Sequence, residues 1–325
     1  MKIGVVINAY NRREYLIEAV NSVMNCKQQE RIGIYVIKNF IDERIDQYLK
    51  ENKITTFLID SNRIGERVAK IIQYLDADII SFLDDDDLFL PNKIQIVNQI
   101  FMKYPDLVYY HNSHVVIDSD GNIIYGGKKS PIKWFRQTNK SMLFKSKERA
   151  NLFSNLLRYH ADFNSSSISI KKNVLLNKLE SMKKITVAFD SLLLYLALDS
   201  DGDILIDQNI LTKFRFHPST TNILHNREMR REISKIYYDD MQAISVSIDK
   251  NSVSRLFTHR LSETKIILFY LVGVGKLTPQ DFITMIIWGF QSVEIYPFKI
   301  ALACLLGVIT FKPTNFISSL FYSQG

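Results

Sequence analysis

Four short apolar runs occupy the first quarter of the chain: Ile3-Gly4-Val5-Val6-Ile7, Ile34-Tyr35-Val36-Ile37, Thr55 to Ile59, and Ile79-Ile80-Ser81-Phe82-Leu83. Between them, apolar residues recur at helical spacing, as Leu16, Ala19, Val20 and Val23, and again as Val68, Ile71, Ile72 and Leu75. Runs this short and this rich in β-branched residues read as strands buried on both faces. Repeated β-α units predict an α/β fold with a mostly parallel sheet and helices on both faces. Sheets of this kind take ligands beyond the carboxyl ends of their strands. The loops leaving those ends are Asn8 to Arg12, Lys38-Asn39, the segment holding Arg63, Gly65 and Arg67, and Asp84-Asp85-Asp86-Asp87.

The four consecutive aspartates are the most specific chemical signal. Neighbouring carboxylates raise one another's pKa unless a cation or solvent offsets them, and hard oxygens at a strand end suit Mg²⁺ or Mn²⁺. Because magnesium is commonly shared with substrate phosphates, the cluster implies a phosphorylated ligand. A solvated acidic turn closing the strand is the plain alternative.

Beyond Pro91, Ile94, Val97 and Phe101 predict a helix, and Leu107 to Tyr110 a strand. Asp118-Ser119-Asp120-Gly121-Asn122 has turn chemistry between Val115-Val116-Ile117 and Ile123-Ile124, which reads as a hairpin. Ser165 to Ile170 reads as a strand, and Leu192 to Leu198 as a helix starting just after Asp190. Ile204 to Ile206 and Leu211 to Phe216 are expected to complete the sheet edge.

A formal charge of +7 asks for an anionic partner without naming it. Eight lysines and arginines lie between Gly126 and Arg149, interleaved with Trp134, Phe135 and Phe144. That stretch reads as a basic flap beside a phosphate or lipid headgroup, or as an ordinary solvated face. No nucleic-acid-binding signature accompanies it, so nucleic acid is not the expected partner. Cys26 and Cys304 match neither a disulfide nor a metal spacing, and Ile3 to Ile7 is too short for a signal-peptide core, so a reducing cytoplasm is expected. After Leu261 come apolar clusters at Ile266 to Val274, Phe282 to Phe290 and Ile300 to Phe311, punctuated by Lys265, Lys276, Lys299 and Lys312. Each is shorter than the roughly 20 residues of a bilayer-crossing helix. Their pattern suits in-plane attachment to an anionic membrane, or a helical cap or dimer face.

Asn8-Ala9-Tyr10-Asn11-Arg12, Phe82-Leu83-Asp84-Asp85-Asp86-Asp87 with Pro91, Phe189-Asp190 opening a helix, and Arg215-Phe216-His217 together resemble glycosyltransferase family 2, the inverting transferases of Rossmann-like GT-A fold. The resemblance covers about residues 1–225. It implies a nucleotide-sugar half (1–105) and an acceptor half (106–225), while the change of composition beyond about residue 226 marks a separate helical region at 226–325. It also implies a nucleotide-diphosphate sugar as donor, a glycan or lipid-linked hydroxyl as acceptor, and Mn²⁺ or Mg²⁺ as cofactor. Asp86 is the implied direct metal ligand, with His217 and, in another register, Asp84. Asp84 and Asp85 would contact the donor, with Ala9, Tyr10, Asn11, Arg12, Asn39 and Arg67 lining the nucleotide. Asp190 is the implied catalytic base. A membrane-attached enzyme at the inner face of the plasma membrane would suit a lipid-linked acceptor.

Each supporting residue also has a plainer reading. Asp190 caps helices as readily as it accepts protons. Tyr10 packs under a helix, Arg67 solvates a surface, and His217 is a surface histidine before a proline. The sequence departs from the family where paired aspartates end the second strand, since Lys38 and Asn39 stand there, and where Phe189 replaces the glutamate before the base. Within the same resemblance a polyprenyl-phosphate glycosyl synthase is the nearest alternative. A nucleotidyltransferase and a basic nucleic-acid-binding protein are the others.

Overall fold

The computed structural model describes residues 1–26, 32–124, 140–146, 161–216, 226–249 and 277–292, with a few single positions between 253 and 266. Among these, the strands are β1 (Ile3–Ala9), β2 (Ile32–Lys38), β3 (Thr55–Leu58), β4 (Ile79–Asp84), β5 (Leu88–Phe89), β6 (Leu107–Ile117), β7 (Met142–Phe144), β8 (Ile168–Lys171) and β9 (Asp203–Arg215). The helices are α1 (Leu16–Met24), α2 (Glu43–Glu51), α3 (Ile64–Ile72), α4 (Lys93–Lys103), α5 (Lys172–Leu176), α6 (Leu179–Met182), α7 (Phe189–Asp199), α8 (Arg227–Ser245) and α9 (Pro279–Ser292).

The strands form one sheet in the order β3-β2-β1-β4-β8-β6-β9-β5, with β7 also paired to β9. Strands β1 to β4 run parallel, as the β-α repeats predict. Beyond them, β8 runs antiparallel to both β4 and β6, and β6 pairs in parallel with β9. The sheet is therefore mixed in its second half. Pleating sends β1 residues to alternate faces: Val6 packs in one core, and Ile3, Val5, Ile7 and Ala9 in the other. One core is closed by the apolar stripes of α1, α2 and α4. The other is closed by α3, α7 and Met241 and Ile244 of α8. Helix α7 is apolar nearly all round, with Leu192 to Leu198 buried, as a helix enclosed on every side must be. Each such leucine contributes about 1.5–3 kcal/mol relative to exposure.

Helix starts follow local chemistry. The Asp42 carboxylate accepts from Ile45 N at 3.0 Å to open α2, and Asn226 accepts from Glu228 N at 2.9 Å to open α8. Gly65 N donates to the Ile185 carbonyl at 3.0 Å, and a Cβ on Gly65 would meet the Met182 carbonyl oxygen at 2.0 Å. Only glycine allows α3 to approach the loop after α6 so closely.

Four expectations need correction. Ile204–Ile206 and Leu211–Phe216 are parts of one strand, β9, and it lies between β6 and β5 instead of at the edge. Register irregularities between Asn112 and His114 of β6, opposite Asp207 to Thr212, break its apolar alternation, which is why it reads as two pieces. Ser165 to Ser167 form a 3₁₀ turn, and the strand begins only at Ile168. Helix α7 already includes Asp190 in its first turn. The hairpin is reduced to an Ile117–Ile123 bridge and an Ile124 N to Val116 O bond of 2.9 Å.

Candidate active site

Asn8 of β1 sits level with Asp84 of β4, and Ala9 level with Lys38 of β2, so these three strand ends share one edge of the sheet. Above that edge the backbone leaves regular structure. Asn11 adopts φ 56°, a left-handed value that asparagine tolerates better than most residues. It is locked there by a reciprocal pair, Asn11 N to Asn39 Oδ1 at 2.8 Å and Asn39 Nδ2 to Asn11 Oδ1 at 2.7 Å. Lys38 turns away, pairing with Asp46 at 2.7 Å. Arg67 is buried rather than solvated: Nε donates to Asn8 Oδ1 at 2.9 Å, Nη1 to the Ser61 carbonyl at 2.6 Å, and the guanidinium stacks 4.6 Å from the Tyr10 ring.

The aspartate quartet is enclosed, with Asp85, Asp86 and Asp87 each at most 9% exposed. Arg12 bridges two of them, its Nε to Asp85 at 3.1 Å and Nη1 to Asp86 at 2.7 Å. Arg215, 1% exposed, fastens the loop from the other side. Its backbone N donates to Asp87 Oδ1 at 2.8 Å, Nε to the Asp86 carbonyl at 2.7 Å, Nη1 to the Ser119 carbonyl at 2.8 Å, and Nη2 to Glu18 at 2.7 Å. Burial, and then the charge of Asp86, push Asp84 up to about 7. Burial pushes Asp85 up to about 6 despite Arg12, and it raises Asp87 well above the ordinary carboxylate range too. Among the described residues, Asp87 Oδ2 is buried with no hydrogen-bond partner. The cluster is thus short of positive charge.

Asp190 faces the same region from the first turn of α7. Its Oδ2 accepts from Asn164 N at 3.0 Å and its Oδ1 from Ser191 N at 2.8 Å. Burial, and then the charge of Asp162, raise its pKa to about 7. That second acidic charge comes from a different segment of the chain. Asp190 does not act as the N-cap of α7, which is Ala188. The backbone N–H groups of Thr186, Val187 and Ala188 are held instead by Asp240 of α8, at 2.6–3.0 Å.

A family model described as glycosyl transferase family 2 matches residues 4–166, half of the chain. The chain belongs to glycosyltransferase family 2. Among curated proteins of known sequence, an uncharacterized glycosyltransferase of Rickettsia bellii is 28% identical over 127 residues, 38% of this chain and 18% of that protein. One from Methanocaldococcus jannaschii is 25% identical over 139 residues, 41% of this chain and 48% of that protein. This family 2 chain thus aligns with about a fifth of the length of the first relatives it matches, 18% and 21%. Staphylococcus aureus TarS 1-349 in complex with UDP superposes with a TM-score of 0.56 at 12% identity, covering 94% of this chain and 81% of that one. The same protein in complex with UDP-GlcNAc gives 0.56 at 14%, covering 93% and 84%. That likeness shows the fold, α/β of the GT-A type.

Of the family 2 site residues expected from sequence, the fold gathers Ala9, Tyr10, Asn11, Arg12, Asn39, Arg67 and Asp84 to Asp86 around one strand edge, with Asp190 tied to Asp84 through the turn at Asn164–Ser166. His217 and most of the basic flap lie outside the described residues. Arg215 was noted within its motif but given no role, and Lys93, Asp162, Asp240 and Asn164 to Ser166 were not foreseen near the site. Lys93 had a visible signal, because it is in phase with the buried Val97 and Phe101.

Proposed function

We propose that the chain is a metal-dependent inverting glycosyltransferase that moves a sugar from a nucleotide-diphosphate donor to a hydroxyl of a glycan or lipid-linked acceptor. The observation that carries this reading is the pairing of an under-neutralised carboxylate cluster at a sheet edge with a separate buried carboxylate, Asp190, raised to about 7.

The residues suit a divalent ion. Among the described residues no three His, Cys, Asp or Glu side chains form a group that could hold one alone. Magnesium sites that share their ion with substrate phosphates need only one or two carboxylates, and the orphaned Asp87 oxygen marks a deficit of positive charge. Asp86 would hold the Mn²⁺ or Mg²⁺, with Asp84 beside it and His217 as a further ligand. When bound, the ion supplies charge that offsets the diphosphate leaving group.

The chain's own residues supply the rest. Asp84 and Asp85 orient the donor, Arg12 and Arg67 bring positive charge toward its phosphates, and Ala9, Tyr10, Asn11 and Asn39 form the floor for the nucleoside. Asp190 takes the proton from the acceptor hydroxyl as that oxygen attacks the anomeric carbon from the face opposite the leaving group. A base whose pKa lies near neutrality is matched to that task.

Of the region after residue 225, the part beyond α8 is assigned to peripheral attachment at the cytoplasmic face of an anionic membrane, since α8 itself packs into the core through Met241 and Ile244. Among the described residues, no helix is long and apolar enough to cross a membrane. The exposed Ile283, Ile287 and Phe290 on one side of α9 support in-plane contact.

The test is a panel of sugar nucleotides with Mn²⁺ or Mg²⁺, scored for release of nucleoside diphosphate by wild type, Asp86→Ala and Asp190→Asn. Metal-dependent turnover of one donor, lost in both variants, is the expected result. No turnover and no metal-dependent donor binding by calorimetry would overturn it.

A further inference from the structure

Between the donor-side carboxylate and the base lies a single turn whose residues touch both. Asn164 has φ 64°, a left-handed value for a non-glycine residue, and is buried. Such backbone persists where its surroundings over-determine it. Here the Asn164 side chain accepts from Ser166 N at 3.0 Å and donates to Ser167 Oγ at 3.2 Å. Its own N–H points to Asp190 Oδ2 at 3.0 Å. The next residue turns the other way, with Ser165 Oγ donating to Asp84 Oδ1 at 2.9 Å. Ser166 Oγ then accepts from Asp84 N at 2.9 Å, so Asp84 is gripped through both side chain and backbone.

The turn is supported from beneath by polar groups in the core. The Ser166 carbonyl accepts from Thr212 Oγ1 at 3.0 Å and from the ammonium of Lys93, which also donates to Thr212 Oγ1 at 2.9 Å. Lys93 is 0% exposed. Burying an ammonium is unfavourable, and a well-packed apolar residue is often as stable in its place or more so. Stability alone gives no reason for a lysine here, whereas holding one carbonyl in a fixed position does.

We infer that the Asn164–Ser166 turn is a positioning element that fixes Asp84 and Asp190 relative to each other, with Ser165 orienting Asp84 and Lys93 anchoring the turn. The inference rests on the roles proposed above for the two carboxylates. Residues 164 and 165 are adjacent and the Asn164 side chain pins the backbone that follows, so a shift on one side of the turn is passed to the other. Direct displacement requires acceptor oxygen and anomeric carbon to meet within roughly 3–3.5 Å and in line, which makes a fixed spacing between base and donor valuable.

The experiment compares wild type, Ser165→Ala, Ser165→Thr and Lys93→Met by two readouts. The first is hydrogen exchange of the Asn164 amide, which faces Asp190, although Ser165 acts on Asp84. The second is the split between kcat and donor KM in Mn²⁺. Expected for Ser165→Ala is exchange faster by about tenfold, and kcat lower by about tenfold or more with donor KM within about twofold. Ser165→Thr restores both. Lys93→Met repeats the pattern without a lower melting temperature. Unchanged Asn164 exchange in Ser165→Ala overturns the coupling, and so does a kcat loss that tracks melting temperature and is not restored by threonine. If the wild type transfers no sugar, the catalytic reading fails separately, and the exchange result still decides whether the turn couples the two carboxylates.

Discussion

Arg215 holds Asp87 by a backbone bond, N to Oδ1 at 2.8 Å, and divides its side chain among the Asp86 and Ser119 carbonyls and the Glu18 carboxylate. A guanidinium can do this because it carries five donors in a rigid plane, whereas an ammonium presents three from one point.

Arg215→Lys therefore keeps the charge and loses the bridge. It should destabilise the protein by about 2 kcal/mol, and Arg215→Met by about 3–5 kcal/mol through the stranded partners. Urea unfolding measures both. Wild-type stability in Arg215→Lys would mean that the side-chain bonds do not hold the loop.

Activity should have an acidic limb set by Asp190. With its pKa pushed to about 7, kcat should fall about tenfold per pH unit below that value and level off above it. The linkage sign follows from the same shift. Folded Asp190 binds its proton more tightly than the unfolded carboxyl, whose ordinary value is 3.8. The folded form therefore carries more protons between about pH 4 and 7, and this residue's contribution to stability declines as pH rises through that window. Asp190→Asn should flatten the stability profile there while abolishing transfer, as urea unfolding across pH would report.

Metal should stabilise most where the quartet is ionised. Asp84 is raised to about 7 and Asp85 to about 6, so protons compete with a cation on the acid side. Millimolar Mn²⁺ is expected to raise the melting temperature more at pH 8 than at pH 5, and to do nothing in Asp86→Ala. An equal shift in wild type and Asp86→Ala would place metal binding elsewhere.

Gly65→Ala should cost about 3 kcal/mol, because the added methyl meets the Met182 carbonyl oxygen at 2.0 Å. Arg67 lies on the same helix, so donor affinity should weaken alongside stability. Calorimetric titration of a donor into the refoldable variant checks the second point.

The parallel half of the fold was legible because its signal is local: β-branched runs and helical stripes each report burial of a single segment. The quartet and Asn11 were legible for the same reason. Asp162 and Asp240 were not, because each is an ordinary acidic residue whose role depends on a loop 28 or 52 residues away in sequence, as with Ala188 N to Asp240. Ser165 to Ser167 was misread as strand because alternation with Ile168 and Ile170 imitates a pleat, while the deciding feature is the φ of Asn164. Lys93 shows the opposite case: its phase on the α4 stripe matches its burial, but a lysine ordinarily marks an exposed position.

Asp240 carries one last consequence. Its carboxylate receives the N–H groups of Thr186, Val187 and Ala188 just before Asp190. A chain cut at 225 would strip those three donors of their shared carboxylate at the start of α7. For anyone trimming the chain, the sensible endpoint is past Ser245, since the carboxylate that holds the start of α7 arrives only with that late helix.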